Sequence, residues 1–246
     1  MFVLELARIQ EAVLKTEPYQ WAFVDELFSS AYAADLAATF PCDKFKKVAG
    51  YDGEKGYEYF SRSLIHMHAA EPSHVDGLSP SWRELAYDLL SPAYRQAMSR
   101  LTGRDLSEAP LEVNAIHYGP SCWLGPHVDL KEKIVTQILY FNEAWNRADG
   151  GYLEILSSSE PSAVAAEAMP LVGNSAVLVR SDHSWHAVAR IAEGCRLSRR
   201  SLNVIFHSPG AVSTMWPPGD RAKLSDYQMN TGKSSRWSGL LGAFRR

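Results

Sequence analysis

This 246-residue chain is predicted to be an α+β protein, and three observations carry the prediction. Helix-like apolar spacing dominates the part before Leu111, short runs rich in β-branched, aromatic and aliphatic residues fill Leu111–Phe206, and Gly, Pro, Asn and Asp punctuate those runs. Helical patterns grouped ahead of strand patterns are the mark of α+β organisation.

In order, Phe2, Leu6, Ile9 and Val13 share one face of an opening helix that Pro18 limits. Trp21–Phe40 carries a second helical pattern, read as two short helices broken near Ser29-Ser30. A third helix begins at Ser81, where Ser81-Trp82-Arg83-Glu84 reads as a capping box and Trp82, Leu85 and Leu89 form the apolar stripe. A fourth starts at Ser91-Pro92, packs Tyr94, Met98 and Leu101, and stops at Gly103. Strands are expected at Leu111–Tyr118, Ile134–Phe141, Tyr152–Leu156, Ser175–Val179 and Ser201–Phe206, with the helices buttressing one sheet. In the tail from Ala211, the final Leu240–Arg246 reads as a short helix packed on the domain or on a second subunit.

A net charge of −3 and a pI near 6.2, with basic residues scattered except in the last few positions, give no electrostatic footprint for nucleic acid. Cys42, Cys122 and Cys195 are an odd, widely spaced set, unlike a secreted disulfide framework. The apolar start is interrupted by Glu5, Arg8 and Glu11 and lacks a basic n-region and a cleavage site. No apolar run approaches the roughly 18 residues of a membrane span, so the expectation is a cytoplasmic protein with no membrane partner.

The chemistry centres on His127-Val128-Asp129 and, 57 residues after the aspartate, His186. Residues two apart on a strand point to one side, so His127 and Asp129 can face one interior, with His186 arriving from a distant strand. Two imidazoles and a carboxylate suit Fe(II) and leave neighbouring coordination positions open. Zinc would favour four N and S ligands, and no Cys-x-x-Cys pair suggests it. His183 rivals His186 but lacks the following Ala-Val; His66, His68, His74, His117 and His207 read as ordinary polar residues.

Tyr118-Gly119-Pro120, His127 and Asp129, Ile138–Asn142, Asp149-Gly150-Gly151-Tyr152-Leu153, Gly173–Leu178, His186 and Arg199-Arg200-Ser201-Leu202 follow one another in an order that resembles the prolyl-hydroxylase-like branch of the 2-oxoglutarate- and Fe(II)-dependent dioxygenases. The resemblance covers about residues 111–210. It implies a double-stranded β-helix, or jelly roll, and a single oxygenase domain: 1–110 as helical support and possible lid, 111–210 as core and 211–246 as an extension. It also implies Fe(II), 2-oxoglutarate and O2, with His127, Asp129 and His186 on the metal and catalytic, and Tyr118, Tyr140, Arg199 and Ser201 at the co-substrate.

The family's basic residue commonly sits nine or ten residues after the distal histidine, whereas Arg199 is 13 after it (186 to 199); Arg196 is ten after it, and Arg200 also competes. Arg199 is chosen because Arg-x-Ser opening the last strand is the family form, which puts Arg199, Ser201 and Asn203 on one face and Leu202, Val204 and Phe206 on the other. An Arg fork also matches a carboxylate better than a lysine does.

Tyr51–Arg62 mixes aromatics and charges without periodicity, and is expected to be a loop over the barrel mouth that offers Arg62 to an anion, or else a solvated surface loop. Trp123 and Trp145 are placed near the mouth by resemblance, with core packing the alternative. The preferred activity is oxidation of an unactivated C–H bond, most simply hydroxylation, in a small molecule such as an amino acid or specialised metabolite. The alternatives are a protein or peptide side-chain hydroxylase and a non-catalytic metal-binding barrel. A small-molecule enzyme should have a closed pocket roofed by the pre-barrel helices and the 51–62 segment.

Overall fold

A computed structural model describes residues 2–50 and 57–229. Its framework is two antiparallel sheets facing one another. The larger has seven strands: β1 (Trp21–Val24), β2 (Lys46–Gly50), β3 (Tyr57–Ile65), β4 (Leu111–Tyr118), β6 (Lys133–Tyr140), β9 (Ser175–Val179) and β11 (Arg199–His207), in the spatial order β1-β9-β6-β11-β4-β3-β2. The smaller is ordered β5-β10-β7-β8, from β5 (Leu124–His127), β7 (Leu153–Leu156), β8 (Val164–Ala168) and β10 (His186–Val188). From Leu111 onward the strands alternate between the sheets except at the β7–β8 hairpin, which stays in the small sheet, and this is the jelly roll expected.

Two-residue alternation gives the large sheet two distinct faces. Val113, Ala115, Val135, Val177, Leu202, Val204 and Phe206 look outward and are buried under four helices: α1 (Leu6–Glu11), α2 (Ser30–Ala38), α3 (Pro80–Leu90) and α4 (Pro92–Thr102). Ile9, Leu36, Trp82, Leu85, Leu89, Tyr94 and Met98 supply the helical half of that cluster. Ile116, Tyr118, Ile138, Tyr140, Ala176 and Leu178 take the opposite face, toward the small sheet. The helices therefore buttress the sheet from outside and do not roof the interior.

Several sequence expectations change. The opening helix is only six residues long; Ile9 is buried, but Val13 is 75% exposed and beyond its end. Trp21–Val24 is a strand, because an apolar run this short suits either period and pairing with β9 decides it, Trp21 opposite Leu178 and Val24 opposite Ser175. The third helix is capped by Ser79, which accepts from the Trp82 N–H, with Pro80 opening the first turn; the box at Ser81 lies one step inside. The fourth helix is as expected, capped by Ser91 and closed at Gly103 with φ 67°.

The 51–62 loop is also revised. Residues 51–56 lie outside the described residues, and from Tyr57 the chain is β3, paired with β2 and β4. Arg62 stands opposite Ala115 on the helix-facing side, fully buried, with one guanidinium N–H donating to the His74 carbonyl (3.0 Å) and Nε 3.3 Å from the Asp43 carboxylate. It ties β3 to the loops beside it and points away from the interior. The expected Leu240–Arg246 helix lies outside the described residues. No helix among the described residues is long and apolar enough to cross a membrane, and all three cysteines are free thiols.

Candidate metal and co-substrate site

The small sheet brings the triad together through its register. His186 opens β10 directly opposite His127 at the end of β5, and the two rings lie 4.2 Å apart between centroids. Asp129 follows β5, and ligand atoms of His127, Asp129 and His186 all lie within 4.8 Å of one another. His183 is exposed and outside this group.

Each imidazole is oriented by its own chain. The His127 Nδ1–H donates to the Gly125 carbonyl (2.9 Å), and the His186 Nδ1–H to the Ser184 carbonyl (2.9 Å), two residues earlier in both cases. Both Nε2 atoms are thereby left as acceptors, the form a metal needs. Burial, with His186 alongside, lowers His127 to about 3; burial also lowers His186. Both rings are neutral at physiological pH. Burial alone would raise Asp129, but Lys133 and His186 outweigh it and hold the carboxyl well below its usual range. Lys133 Nζ donates to Asp129 Oδ1 (2.5 Å) and Thr136 Oγ1 to Oδ2 (2.8 Å).

At the other end of the interior, Arg199 opens β11 opposite Tyr118, and Ser201 stands opposite Tyr140. Arg199 is 2% exposed; its Nε donates to the Gly151 carbonyl (2.6 Å) and its Nη1 to Ser201 Oγ (3.1 Å). The guanidinium carbon lies 5.1 Å from the Tyr140 ring centroid and 5.6 Å from that of Tyr118. Burial pushes Tyr140 up to about 12, and its buried hydroxyl lies against the Arg199 guanidinium without meeting hydrogen-bond geometry. A cation without a counter-ion beside this hydroxyl suits a carboxylate entering from the interior. Arg200 takes the other face, donating to the Ala37 carbonyl over the Phe40 ring, and Arg196 is exposed before the strand starts.

Gly150 and Gly151 shape this end. Both have positive φ (67° and 70°); a Cβ on Gly150 would come within 2.0 Å of the Arg190 carbonyl oxygen, and one on Gly151 within 3.0 Å of Trp145 and Ile191. Trp145 is accordingly a packed wall, with its indole N–H held by the Gly150 carbonyl and its ring in a cluster with Ile116, Tyr118 and Ile191. Trp123 is half-buried beneath the Arg190 guanidinium at the Leu124 end of β5, away from the triad. Of the three residues expected to meet substrate, then, Arg62 and Trp145 are committed to the fold and Trp123 is off the metal end.

Sequence reasoning passed over Lys133 and Thr136. Alternation from Tyr140 through Ile138 puts Thr136 on the inner face, so a signal existed. Tyr19, taken up below, left none.

Residues 113–207 match the 2OG-Fe(II) oxygenase superfamily. Among solved structures, a Pseudomonas putida prolyl-4-hydroxylase is similar, with a TM-score of 0.56 and 19% identity over 82% of this chain and 99% of that one. A 2OG-Fe(II) oxygenase family oxidoreductase from Burkholderia pseudomallei follows at TM-score 0.51 and 16% identity, over 76% of this chain and 84% of that one. A Trichoplax adhaerens prolyl hydroxylase solved with a hypoxia-inducible-factor peptide gives TM-score 0.50 and 14% identity, over 76% and 83%. No curated protein sequence matches significantly. The chain carries the 2OG-Fe(II) oxygenase match over residues 113–207 and has the fold of that superfamily's prolyl-hydroxylase-like members. It is an enzyme of the class that uses Fe(II), 2-oxoglutarate and O2.

Proposed function

We propose that His127, Asp129 and His186 hold the iron, that Arg199 with Ser201, Tyr140 and Tyr118 holds the far carboxylate of 2-oxoglutarate, and that the enzyme hydroxylates a C–H bond of a small molecule. The observation that carries the first two assignments is the opposition, across one interior, of two neutral imidazoles and an ionised carboxylate to a buried, unneutralised arginine. Bound iron supplies the oxidising chemistry with 2-oxoglutarate and O2. The chain orients the imidazoles, fixes Asp129 through Lys133 and Thr136, and buries the Arg199 anchor.

The small-molecule reading draws on the size of a cavity of about 500 Å³ lined by His66, His74, Ser213, Trp216 and Leu224, which the triad and Arg199 do not line; roughly 300–1,000 Å³ is usual for such ligands. Trp216 donates to Asn114 on the inner face of β4, near the strand end at which Ile205 links Glu112 to Thr136, the partner of Asp129. The cavity is built by the segment after β3 and by residues 211–224, in place of the helices expected to roof it. Because α1–α4 share one core cluster with the large sheet, we read the chain as a single oxygenase domain.

A peptide substrate is the second reading, favoured by the fold shared with prolyl hydroxylases, one of them solved with a peptide. Oxygen-dependent succinate formation, assayed against free amino acids and small metabolites and against proline-containing peptides, separates the two. Stimulation by peptides alone would overturn the small-molecule reading.

A further inference from the structure

Tyr19 lies outside the segment that matches the superfamily, in the turn before β1. It is 5% exposed and packs with Trp21, Ile138, Tyr140, Leu153, Ile155, Ala168, Ala176 and Leu178, a cluster drawn from both sheets. Its hydroxyl is buried and has no hydrogen-bond partner. Leaving such a group dry is costly, so an unpartnered hydroxyl beside a ligand site points to the ligand.

The protein offers it nothing. Asp129 is close enough for its charge, after burial, to push the Tyr19 phenol up, but both Asp129 oxygens are already taken by Lys133 and Thr136. The Trp21 indole donates to the Glu17 carbonyl, and apart from Tyr140, which lies beside Arg199, the cluster side chains are aliphatic. The register fixes which end of the interior Tyr19 serves. Trp21 pairs with Leu178, which pairs with Thr136, the partner of Asp129, whereas Tyr140 pairs with Ser201 at the Arg199 end. The interior therefore presents two tyrosine hydroxyls, Tyr140 beside Arg199 at one end and Tyr19, with no partner, toward the other. A dicarboxylate held at Arg199 and reaching the triad would meet both.

We propose that Tyr19 is a co-substrate-binding residue whose phenol donates to the 2-oxo acid end of 2-oxoglutarate. This rests on the site reading above and extends it to a residue from the helical N-terminal part of the chain. Burial, with Asp129 nearby, keeps the phenol protonated across the physiological range, so it retains the O–H that donates.

The test is anaerobic titration of the Fe(II)-loaded full-length protein with 2-oxoglutarate, followed by the visible charge-transfer absorption that a 2-oxo acid gains on Fe(II), in wild type and Tyr19→Phe. Iron affinity is measured separately for each. Tyr19→Phe, which keeps the ring and its packing, should bind iron like wild type, bind 2-oxoglutarate about tenfold or more weakly, and shift the band. Unchanged affinity and band position would overturn the proposal. Parallel loss of iron would overturn it as well, since Tyr19 would then be acting on Asp129. No band in wild type would instead sink the site reading beneath it.

Discussion

The two ends of the interior are built differently. At the metal end each histidine is oriented by a carbonyl two residues before it, and Asp129 is held by Lys133 and Thr136, four and seven residues on. At the anchor end, Arg199 depends on a carbonyl 48 residues away and on rings from two neighbouring strands. Local geometry orients the ligands, and only their convergence needs the sheet. The anchor exists only when β4, β6, β11 and the Gly150-Gly151 turn are all in register. Damage should accordingly be all-or-none at the metal and graded at the anchor.

The largest effect expected is loss of iron-dependent 2-oxoglutarate decarboxylation in His127→Ala, Asp129→Ala and His186→Ala, with His183→Ala keeping most of it. Metal content and succinate release check this together; an active His186→Ala would break the assignment. Next comes Arg199→Ala. Breaking a buried, hydrogen-bonded charge pair costs on the order of 3–5 kcal/mol, so the Michaelis constant for 2-oxoglutarate should rise by roughly two or more orders of magnitude. Arg200→Ala and Arg196→Ala should change it little, and a large defect confined to Arg196 would contradict the register.

Smaller again is Gly151→Ala, which forces a positive φ and presses on Trp145 and Ile191. It should cost about 1–3 kcal/mol of stability and weaken 2-oxoglutarate binding through the displaced Arg199 partner, leaving iron affinity intact. Thermal unfolding and the two titrations would separate these effects.

The subtlest expectation concerns pH. Buried His117 donates from Nε2 to the Pro41 carbonyl and accepts at Nδ1 from Ser198, the residue before Arg199; burial lowers it to about 3. Unfolded histidine, with a pKa of about 6.5, binds the proton more readily, so this group's contribution is full above about pH 6.5 and is lost as pH falls toward 3. His117→Asn should flatten that part of the stability-versus-pH curve measured by thermal unfolding. An unchanged slope would exclude His117 as its source.

The same contrast explains what could be read from the sequence. His127, Asp129 and His186 were legible because their spacing and neighbours are local, and Arg199 because alternation in β11 separates Arg199 and Ser201 from Leu202 and Val204. β1, β3 and the substrate side were not. Trp21–Val24 is too short to show its period, Arg62 carries a charge that its burial against Asp43 and His74 accommodates, and Tyr19 reaches the interior solely through the pairing of β1 with β9. Residues placed by long-range pairing leave no local trace.

One iron held by this triad should turn over 2-oxoglutarate anchored at Arg199. The most direct test is to measure succinate formed by purified protein with Fe(II), 2-oxoglutarate and O2, omitting each in turn, for wild type beside His186→Ala and Arg199→Ala. Succinate is expected from wild type only when all three are present, with none from His186→Ala and recovery of Arg199→Ala at high 2-oxoglutarate. Succinate from His186→Ala, or an Arg199→Ala defect that no concentration of 2-oxoglutarate relieves, would contradict this.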